Sequence, residues 1–217
     1  MKIRVFLADD HNIFRDGLHT MIEKEEGMEV VGEANNGRKS IKEAEKLAPD
    51  VIIMDVSMPD MNGIEATRKI KAEMPDIKVI ALSMHSDRRF VLGMLEAGAS
   101  GYLLKDCAFS ELANSIRQVT TGNTYLSPKI ADVVVKGYLN KVSDASHKDS
   151  VLLTSREREI LQLIAEGLTA REIAQHVYLS IKTVETHRRN IMQKLNMRSI
   201  ADLTRYAIQE GLVALDA

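Results

Sequence analysis

The sequence contains only one cysteine, Cys107, so no disulfide bond can form within the chain. Small secreted proteins commonly depend on disulfides, and this scarcity favours a protein of the reducing cytoplasm. We expect the Cys107 thiol to be structural, because no histidine-bearing nucleophile pattern surrounds it. Long apolar runs are also missing, since none approaches the roughly 20 residues that a membrane-spanning helix needs. The short apolar stretch after Met1-Lys2 meets Asp9-Asp10, which argues against a signal peptide and a membrane partner.

A large excess of positive charge, which indiscriminate nucleic-acid binding would require, is absent, because the formal net charge is −2. The charge is unevenly placed, with −4 over residues 1–123 and +1 over residues 152–217. The length of 217 residues suits either one large domain or two small ones. The small overall charge therefore hides an acidic half and a mildly basic half.

Residues 1–122 alternate short apolar runs with segments of helical periodicity five times. The predicted strands lie at about 3–9, 28–34, 51–55, 78–83 and 101–105, and the predicted helices at about 11–26, 36–48, 63–74, 86–98 and 109–121. Strict alternation predicts a doubly wound α/β domain with a five-stranded parallel sheet. No Gly-x-Gly-x-x-Gly motif follows the first strand, which argues against a dinucleotide-binding domain.

Polar side chains follow four of these predicted strands. The first strand ends in Asp9-Asp10, the third in Asp55, the fourth in Ser83 and the fifth in Lys105. Ligands collect at the carboxyl ends of parallel strands, and a strand order of 2-1-3-4-5 places these ends together. Carboxylates are the oxygen ligands that Mg²⁺ takes, and an ammonium group can hold a phosphoryl oxygen. The pattern therefore predicts a metal- and phosphoryl-binding site.

Four separated segments make residues 1–122 similar to the receiver domain of two-component response regulators. They are Ala8-Asp9-Asp10-His11, Met54-Asp55-Val56-Ser57-Met58-Pro59-Asp60-Met61-Asn62-Gly63, Ala81-Leu82-Ser83 and Gly101-Tyr102-Leu103-Leu104-Lys105-Asp106. The chain departs from many receivers at Asp106, where they have proline after the lysine. A cis-proline is therefore not available to shape that loop.

The resemblance implies a role for each residue of the site. Asp55 would be the phosphoacceptor, and the partner that phosphorylates it would be a sensor histidine kinase. The Mg²⁺ ligands would be Asp10, Asp55 and the backbone carbonyl of Ser57, with Asp9 supporting. Ser83 and Lys105 would stabilise the phosphoryl group, and Ser83 and Tyr102 would form the switch.

Two other functions share some of these features. A phosphatase or phosphotransferase of the haloacid dehalogenase kind also uses a strand-end aspartate and Mg²⁺, but normally has Asp-x-Asp there, and here Ser57 stands two positions after Asp55. Turnover of a generic phosphomonoester would distinguish that enzyme. The other alternative is a receiver that works through a protein partner without phosphorylation, against which the intact acidic pocket argues.

Residues 123–151 are predicted to be a linker with a helix at 128–140. Ser127-Pro128 is typical of a helix start, because serine caps helices and proline suits their first position. The polar residues from Ser143 to Ser150 have nothing to bury and indicate a flexible connection. Residues 152–217 show no strand pattern and predict a small all-α domain of four helices.

The segment 168–195 has a helix-turn-helix layout, with helices at about 170–177 and 181–195. The last helix is predicted at about 199–210. On the second helix of the motif, Ile181, Val184, Ile191 and Leu195 form an apolar stripe that should face a core. Another stripe is polar, and its side chains are long enough to reach bases and phosphates. It contains Lys182, Glu185, Thr186, Arg189 and Gln193. From this helix alone, an ordinary amphipathic surface helix remains the alternative.

The C-terminal domain resembles the LuxR-type helix-turn-helix, so that the whole chain resembles the NarL/FixJ class of response regulators. The matching segments are Leu153-Thr154-Ser155-Arg156-Glu157-Arg158-Glu159-Ile160-Leu161, Glu172-Ile173-Ala174 and Thr183-Val184-Glu185-Thr186-His187. The candidate DNA contacts are Lys182, Thr183, Glu185, Thr186, Arg188 and Arg189. In this class the last helix usually forms the dimer contact on DNA.

The resemblance implies a transcription factor that phosphorylation of Asp55 activates. It would form a homodimer on phosphorylation and bind double-stranded promoter DNA, with RNA polymerase as a candidate further partner. It would not be an enzyme, apart from slow self-dephosphorylation.

Overall fold

The run Val51–Met54 is entirely apolar and entirely buried, as expected of a parallel strand that helices cover on both faces. It lies near the centre of the sheet in a computed structural model that describes residues 2–143 and 153–213. The chain divides into two compact units, Met1–Ser143 and Asp144–Ala217. Each unit has its own hydrophobic core, as independent domains do.

The first unit alternates strands and helices in the predicted order. Its strands are β1 (Ile3–Ala8), β2 (Met28–Ala34), β3 (Val51–Met54), β4 (Lys78–Ser83), β5 (Gly101–Leu104) and β6 (Tyr125–Leu126). Its helices are α1 (Asn12–Glu23), α2 (Gly37–Leu47), α3 (Gly63–Glu73), α4 (Arg88–Glu96), α5 (Phe109–Thr120) and α6 (Pro128–Ser143). The predicted elements before residue 122 are all present, with ends that differ by a few residues.

All strand pairs in the sheet are parallel, and the order is β2-β1-β3-β4-β5-β6. The predicted order of the first five strands is therefore confirmed. The sheet has one strand more than the five predicted, because Tyr125 and Leu126 pair with Gly101 and Tyr102 of β5. Two residues are too few for a strand to be recognised from alternation in the sequence.

The sheet has one apolar cluster on each face, which is the doubly wound arrangement. One cluster packs β-strand residues such as Val5 and Ile53 against α1 and α5 through Ile22 and Ile116. The other packs the opposite strand residues against α2, α3, α4 and α6. Because side chains alternate along a strand, every central strand contributes to both cores.

Helix α6 belongs to the first unit, whereas the sequence placed it in a linker from residue 123. Ile130 is fully buried in the cluster that contains α4, and Val133 and Val134 pack against the same cluster. Arg88 at the start of α4 donates from Nη2 to the Gly137 carbonyl at 3.1 Å. A Cβ on Gly137 would lie 3.1 Å from Arg88 Nε, so glycine lets the two helices approach. The remaining predicted linker, residues 144–151, lies outside the described residues.

The second unit is all-helical in its described part. It contains α7 (Ser155–Ala165), α8 (Ala170–His176), α9 (Ile181–Lys194) and α10 (Ile200–Gln209). Thr154 and Thr169 open α7 and α8 with capping boxes, in which the threonine side chain accepts from a backbone N–H three residues later and a glutamate returns the bond. One cluster, which includes Ile160, Ile191 and Leu203, forms the core. Among the described helices of the whole chain, none is long and apolar enough to cross a membrane.

Candidate phosphoryl site and DNA interface

The strand ends of the first unit meet as the sequence predicts. Lys105 Nζ lies 2.7 Å from Asp9 Oδ2 and 2.8 Å from Asp55 Oδ2, so one ammonium group bridges carboxylates that follow β1 and β3. The backbone continues the ladder past the strands, since Asp55 N donates to Ala8 O at 2.8 Å and Lys105 N donates to Ser83 O at 2.9 Å. Side chains from four separate strands are thereby held at one edge of the sheet.

Gly63 explains how the start of α3 can lie against the site. A Cβ at this position would be 1.9 Å from the Asp55 carbonyl oxygen, so no other residue fits without displacing that backbone. The Gly63 N–H donates to Val56 O at 2.9 Å, and Asn62 caps the helix by accepting from Glu65 N. In the sequence, Gly63 is only the last residue of a segment that resembles receiver domains, because its contact with Asp55 is a tertiary one.

Burial dominates the electrostatics of the phosphoacceptor candidate. Burial, with a smaller contribution from the nearby Asp9 charge, raises the pKa of Asp55 to about 6 against the lowering effect of the Lys105 charge. Burial alone would lower the pKa of Lys105, but the Asp55 and Asp9 carboxylates outweigh it and raise that pKa above the usual value. A divalent cation at the site would favour ionised Asp55, because an adjacent positive charge stabilises a carboxylate.

The carboxylates at this edge of the sheet suit a hard cation. One ligand atom from each of Asp9, Asp10, His11 and Asp55 lies within 4.8 Å of every other. Asp10 Oδ1 is buried and accepts no hydrogen bond within the described residues, although His11 Nδ1 lies 3.1 Å away. Three carboxylates, of which that of Asp10 has an unsatisfied oxygen, fit Mg²⁺. The sequence predicted Asp9, Asp10, Asp55 and the Ser57 carbonyl as the ligands, and it did not include His11, which directly follows Asp10 and lies in the same cluster.

Ser57 sits beside the carboxylates as expected. Its backbone N–H donates to Asp55 Oδ1 at 3.4 Å, a long contact. Its Oγ is buried and has no hydrogen-bond partner among the described residues. A bound group that reaches this loop would therefore meet a hydroxyl that is free to bond.

The predicted switch residues hold the loop between β4 and α4. Ser83 is fully buried, and its Oγ accepts from His85 N at 3.1 Å. The Tyr102 hydroxyl donates to His85 O at 2.7 Å, and burial raises the pKa of this tyrosine above its usual value. The His85 ring stacks on Phe90 of α4, with ring centroids 4.6 Å apart. A change in the Ser83 hydrogen bond would therefore move His85, and with it the contact of its ring with Phe90 of α4.

We predict that Ser57 and His85 control how long a phosphoryl group stays on Asp55. Each lies two positions after a residue of the site and contacts that residue through its backbone N–H, Ser57 at Asp55 and His85 at Ser83. Replacing both by alanine is expected to change the rate of self-dephosphorylation, measured as loss of radiolabel from purified phosphoprotein. Exposed Asp76, replaced by alanine, is the control. Equal decay of the wild type and the double variant would mean that both residues are ordinary loop positions.

The helix-turn-helix places α9 with one face on the core of the second unit. Val184 and Ile191 are buried there, and Leu195 packs against the cluster. Ile181 was expected on the same stripe, but the structure contradicts this, because its side chain is 49% exposed. It occupies the first position of α9, beyond the end of the core, so helical spacing alone misassigned it.

The predicted DNA contacts differ in how free their side chains are. Lys182, Thr186 and Arg189 are exposed on α9. The Thr183 hydroxyl lies 2.8 Å from Oγ of Ser180, the residue that caps the start of α9. Arg188 Nη2 lies 2.6 Å from Glu185 Oε2. Among the described residues the side chains of Lys182 and Arg189 form no hydrogen bond or ion pair, which leaves both able to bind a ligand.

Lys194, which contributes to the positive charge of α9, has a structural contact. Its Nζ lies 2.7 Å from Glu157 Oε2, the carboxylate that also accepts from Thr154 in the capping box of α7. Burial would raise the pKa of Glu157, but the bonds from Lys194 and Thr154 outweigh it and lower that pKa below its usual value. Among the described residues, the unpaired positive charge of α9 is accordingly that of Lys182 and Arg189, and not that of Lys194.

Comparison with known families agrees with this division. Residues 5–117 match the response regulator receiver domain, and residues 151–207 match the luxR family of bacterial regulatory proteins. The transcriptional regulatory protein LiaR of Bacillus subtilis is 42% identical over 211 residues, which cover 97% of this chain and 99% of LiaR. The oxygen regulatory protein NreC of Staphylococcus carnosus is 37% identical over 215 residues, covering 97% and 99% of the two chains.

Solved structures give the same assignment. The response regulator ChrA of a heme-sensing two-component system is 32% identical, with a TM-score of 0.53 over 98% of this chain and 99% of ChrA. RcsB from Salmonella enterica serovar Typhimurium, bound to a promoter in the presence of phosphomimetic BeF3-, is 27% identical, with a TM-score of 0.61 over 98% of this chain and all of RcsB. By sequence and by structure, the chain belongs to the LuxR-family response regulators of two-component systems.

Proposed function

We propose that this protein is a transcription factor that a sensor histidine kinase activates by phosphorylating Asp55. The single observation that carries the proposal is the bridge from Lys105 to Asp55 and Asp9 at the edge of the sheet, in a chain that also has a helix-turn-helix. Phosphoryl transfer depends on positioning and charge stabilisation, which this arrangement supplies. As a DNA-binding regulator, the protein would work in the cytoplasm.

The residues of the pocket would divide the chemistry between them. Asp55 would accept the phosphoryl group as an ionised carboxylate, and Lys105 would hold one of its oxygens. Mg²⁺, held by Asp9, Asp10, Asp55 and the Ser57 carbonyl, would neutralise charge on the transferred group when bound. Ser83 would exchange its hydrogen bond with His85 N for one with the phosphoryl group, and Tyr102 would follow the loop.

The second unit would bind promoter DNA through α9. Lys182, Thr183, Glu185, Thr186, Arg188 and Arg189 are the proposed contacts. Glu185 contacts Arg188 in the structure, so it would bind DNA either together with Arg188 or after that contact breaks. Phosphate would repel the free carboxylate, but a cytosine amino group could donate a hydrogen bond to it. Solved RcsB structures include two dimers bound to two parallel DNAs, which supports a dimeric DNA-bound state here. RNA polymerase is proposed as a further partner because the protein is proposed to regulate transcription.

Catalytic turnover is not part of the proposal, beyond slow hydrolysis of the phosphoryl group on Asp55. A dehalogenase-type phosphatase would turn over a generic phosphomonoester. We expect no turnover of p-nitrophenyl phosphate above that of the Asp55→Asn variant. Sustained turnover that depends on Asp55 would favour the enzyme.

Dimerisation on activation tests the proposed function. A phosphoryl group adds strong acceptor oxygens that Ser83 and Lys105 can bind, and so biases the loop that Tyr102 holds. With Mg²⁺ and beryllofluoride, a phosphoryl mimic, light scattering should show the molar mass rising toward that of a dimer. Promoter affinity should rise in parallel, and the Asp55→Asn variant is the control. If mass and affinity both stay constant in the wild type, the switch is absent.

A further inference from the structure

The Lys105 ammonium group has an aromatic neighbour in addition to its two carboxylates. Its Nζ lies over the ring of Phe14, 4.8 Å from the ring centroid. The same Nζ lies 2.7 Å from Asp9 Oδ2 and 2.8 Å from Asp55 Oδ2. An ammonium group has three N–H donors, of which the carboxylates take two. The third is available to the face of the ring, which attracts a cation within about 6 Å of its centroid.

Burial strengthens the contact between this ring and the ammonium group. The Lys105 side chain is only 6% exposed, so little water surrounds its charge. A cation is attracted more strongly to an aromatic face when it is desolvated, because water then screens the attraction less. The Phe14 ring therefore occupies part of the surroundings that water would have around an exposed lysine.

The Phe14 ring is held in place by contacts that do not involve Lys105. It is partly buried and packs against the apolar cluster that α1 and α5 form with the sheet. The next residue, Arg15, fixes the first turn of α1. Its Nη1 donates to the Asp9 carbonyl at 2.6 Å, and its Nε lies 2.8 Å from Glu33 Oε2. The ring is thus a fixed surface against which the ammonium group lies.

The ring differs from the carboxylates in what phosphorylation would do to it. Transfer to Asp55 would convert its carboxylate into an acyl phosphate and so change one of the two charged partners of Lys105. The aromatic face would stay the same before, during and after transfer. Among the described contacts of the ammonium group, the one with Phe14 is therefore independent of the reaction.

We propose that Phe14 is a positioning residue of the phosphoryl site, whose ring face holds the Lys105 ammonium group where the phosphoryl group arrives. The electron density of the ring, and not only its size, sets the rate of transfer to Asp55, because a charge that is already in position accelerates the reaction. The inference rests on the proposed function, since it concerns how Lys105 assists that transfer.

The test changes the electron density of the ring and keeps its shape close to that of phenylalanine. Phenylalanine with one, two or three ring fluorines replaces Phe14 in the full-length chain, and each fluorine weakens the attraction of the ring for a cation. The protein is incubated with acetyl phosphate and Mg²⁺. An oxygen of the Asp55 carboxylate bonds to phosphorus, and acetate leaves with the electron pair of the broken phosphorus–oxygen bond. The initial rate is measured by mass spectrometry of the intact protein.

The rate constant is expected to fall with each fluorine, to about one tenth of the wild-type value with three. Phe14→Leu should be at least as slow, whereas Phe14→Tyr keeps an aromatic face and should react nearly as fast as the wild type. Phe109 is the matched control, because it is also partly buried and packs against the same cluster. Three fluorines on Phe109 should leave the rate unchanged, and circular dichroism would show that each protein is folded.

Two outcomes of this series would overturn the inference. Equal rates for all the fluorinated forms of Phe14 would mean that the ring is ordinary packing. An equal fall with fluorinated Phe109 would mean that fluorine acts through the apolar cluster and not through Lys105.

A second measurement does not depend on phosphoryl transfer or on Mg²⁺. The face of an aromatic ring shields nearby protons, so the proton NMR signal of the Lys105 ammonium group should move downfield in Phe14→Leu. The signal is assigned by its loss in Lys105→Arg, and an unmoved signal would overturn the inference. If the signal moves but unmodified protein takes up no phosphoryl group, the proposed function fails and the contact with the ring does not.

Discussion

Replacement of Asp55 by asparagine is expected to abolish incorporation of a phosphoryl group from a small phosphodonor. The wild type should gain one phosphoryl group per chain in the presence of Mg²⁺, seen as a mass increase of the intact protein. Asp55 lies beside both Lys105 and Asp9, and an amide oxygen in its place is a far weaker nucleophile than a carboxylate. A chelator should stop the reaction in the wild type as completely as the substitution does.

Misfolding of the variant should not contribute to this loss, for an electrostatic reason. Because burial raises the pKa of Asp55 to about 6, the ionised carboxylate disfavours the folded state as pH rises from the unfolded value of 3.8 through about 6. Above that pH and without a cation, the uncharged amide should leave the melting temperature unchanged or raised. Asp76→Asn, at an exposed position, serves as the control that still accepts the group. Full labelling of Asp55→Asn would require a different acceptor.

Truncation of Arg189 to alanine is expected to cost roughly 1–3 kcal/mol of binding free energy on a specific duplex and to relax preference at one base position. Arg189 is exposed on α9 one turn from Glu185, and a guanidinium can form two hydrogen bonds to a guanine edge. Lys182→Ala should act differently, because Lys182 lies near the start of α9 and is suited to a phosphate. It should weaken all sequences alike and reduce the slope of log affinity against log salt concentration by about one unit.

Lys194→Ala is the matched control for this experiment. It removes a positive charge from the same helix, but one that is 2.7 Å from Glu157. We expect it to lower the melting temperature and to leave the salt slope close to that of the wild type. Each variant is titrated with salt on specific and scrambled duplexes. If Arg189→Ala and Lys182→Ala bind both duplexes as the wild type does, α9 is not the recognition helix.

The parts of the fold that the sequence predicted well are those that short-range patterns control. Buried parallel strands are continuous apolar runs, so the segment before Asp55 could be recognised, and parallel topology brings strand ends to one edge of the sheet. Thr154 and Thr169 each stand three residues before a glutamate, a capping-box pattern that is readable in the sequence, and α7 and α8 begin directly after them. The pairing of Lys105 with Asp9 and Asp55 follows from this topology.

The features that the sequence did not predict depend on tertiary contacts. Ile181 has the spacing of a core residue but lies at a helix end where the core has finished. The contact between Glu185 and Arg188 is compatible with their separation of three residues, yet nothing in the sequence tells whether the pair forms or whether each reaches DNA. His11 directly follows Asp10 in the sequence, but the position of its ring beside the Asp10 carboxylate depends on the side-chain conformation, which the sequence does not give.

The docking of β6 and α6 determines where the two halves of the chain can be separated. A fragment that ends at residue 122 would leave the edge of β5 at Gly101 and Tyr102 without its partner strand. It would also uncover the apolar surface against which Ile130 is fully buried. Open strand edges and exposed apolar patches both promote aggregation. A fragment that ends after Ser143 keeps both covered, and is the better choice for isolating the phosphoryl-binding half.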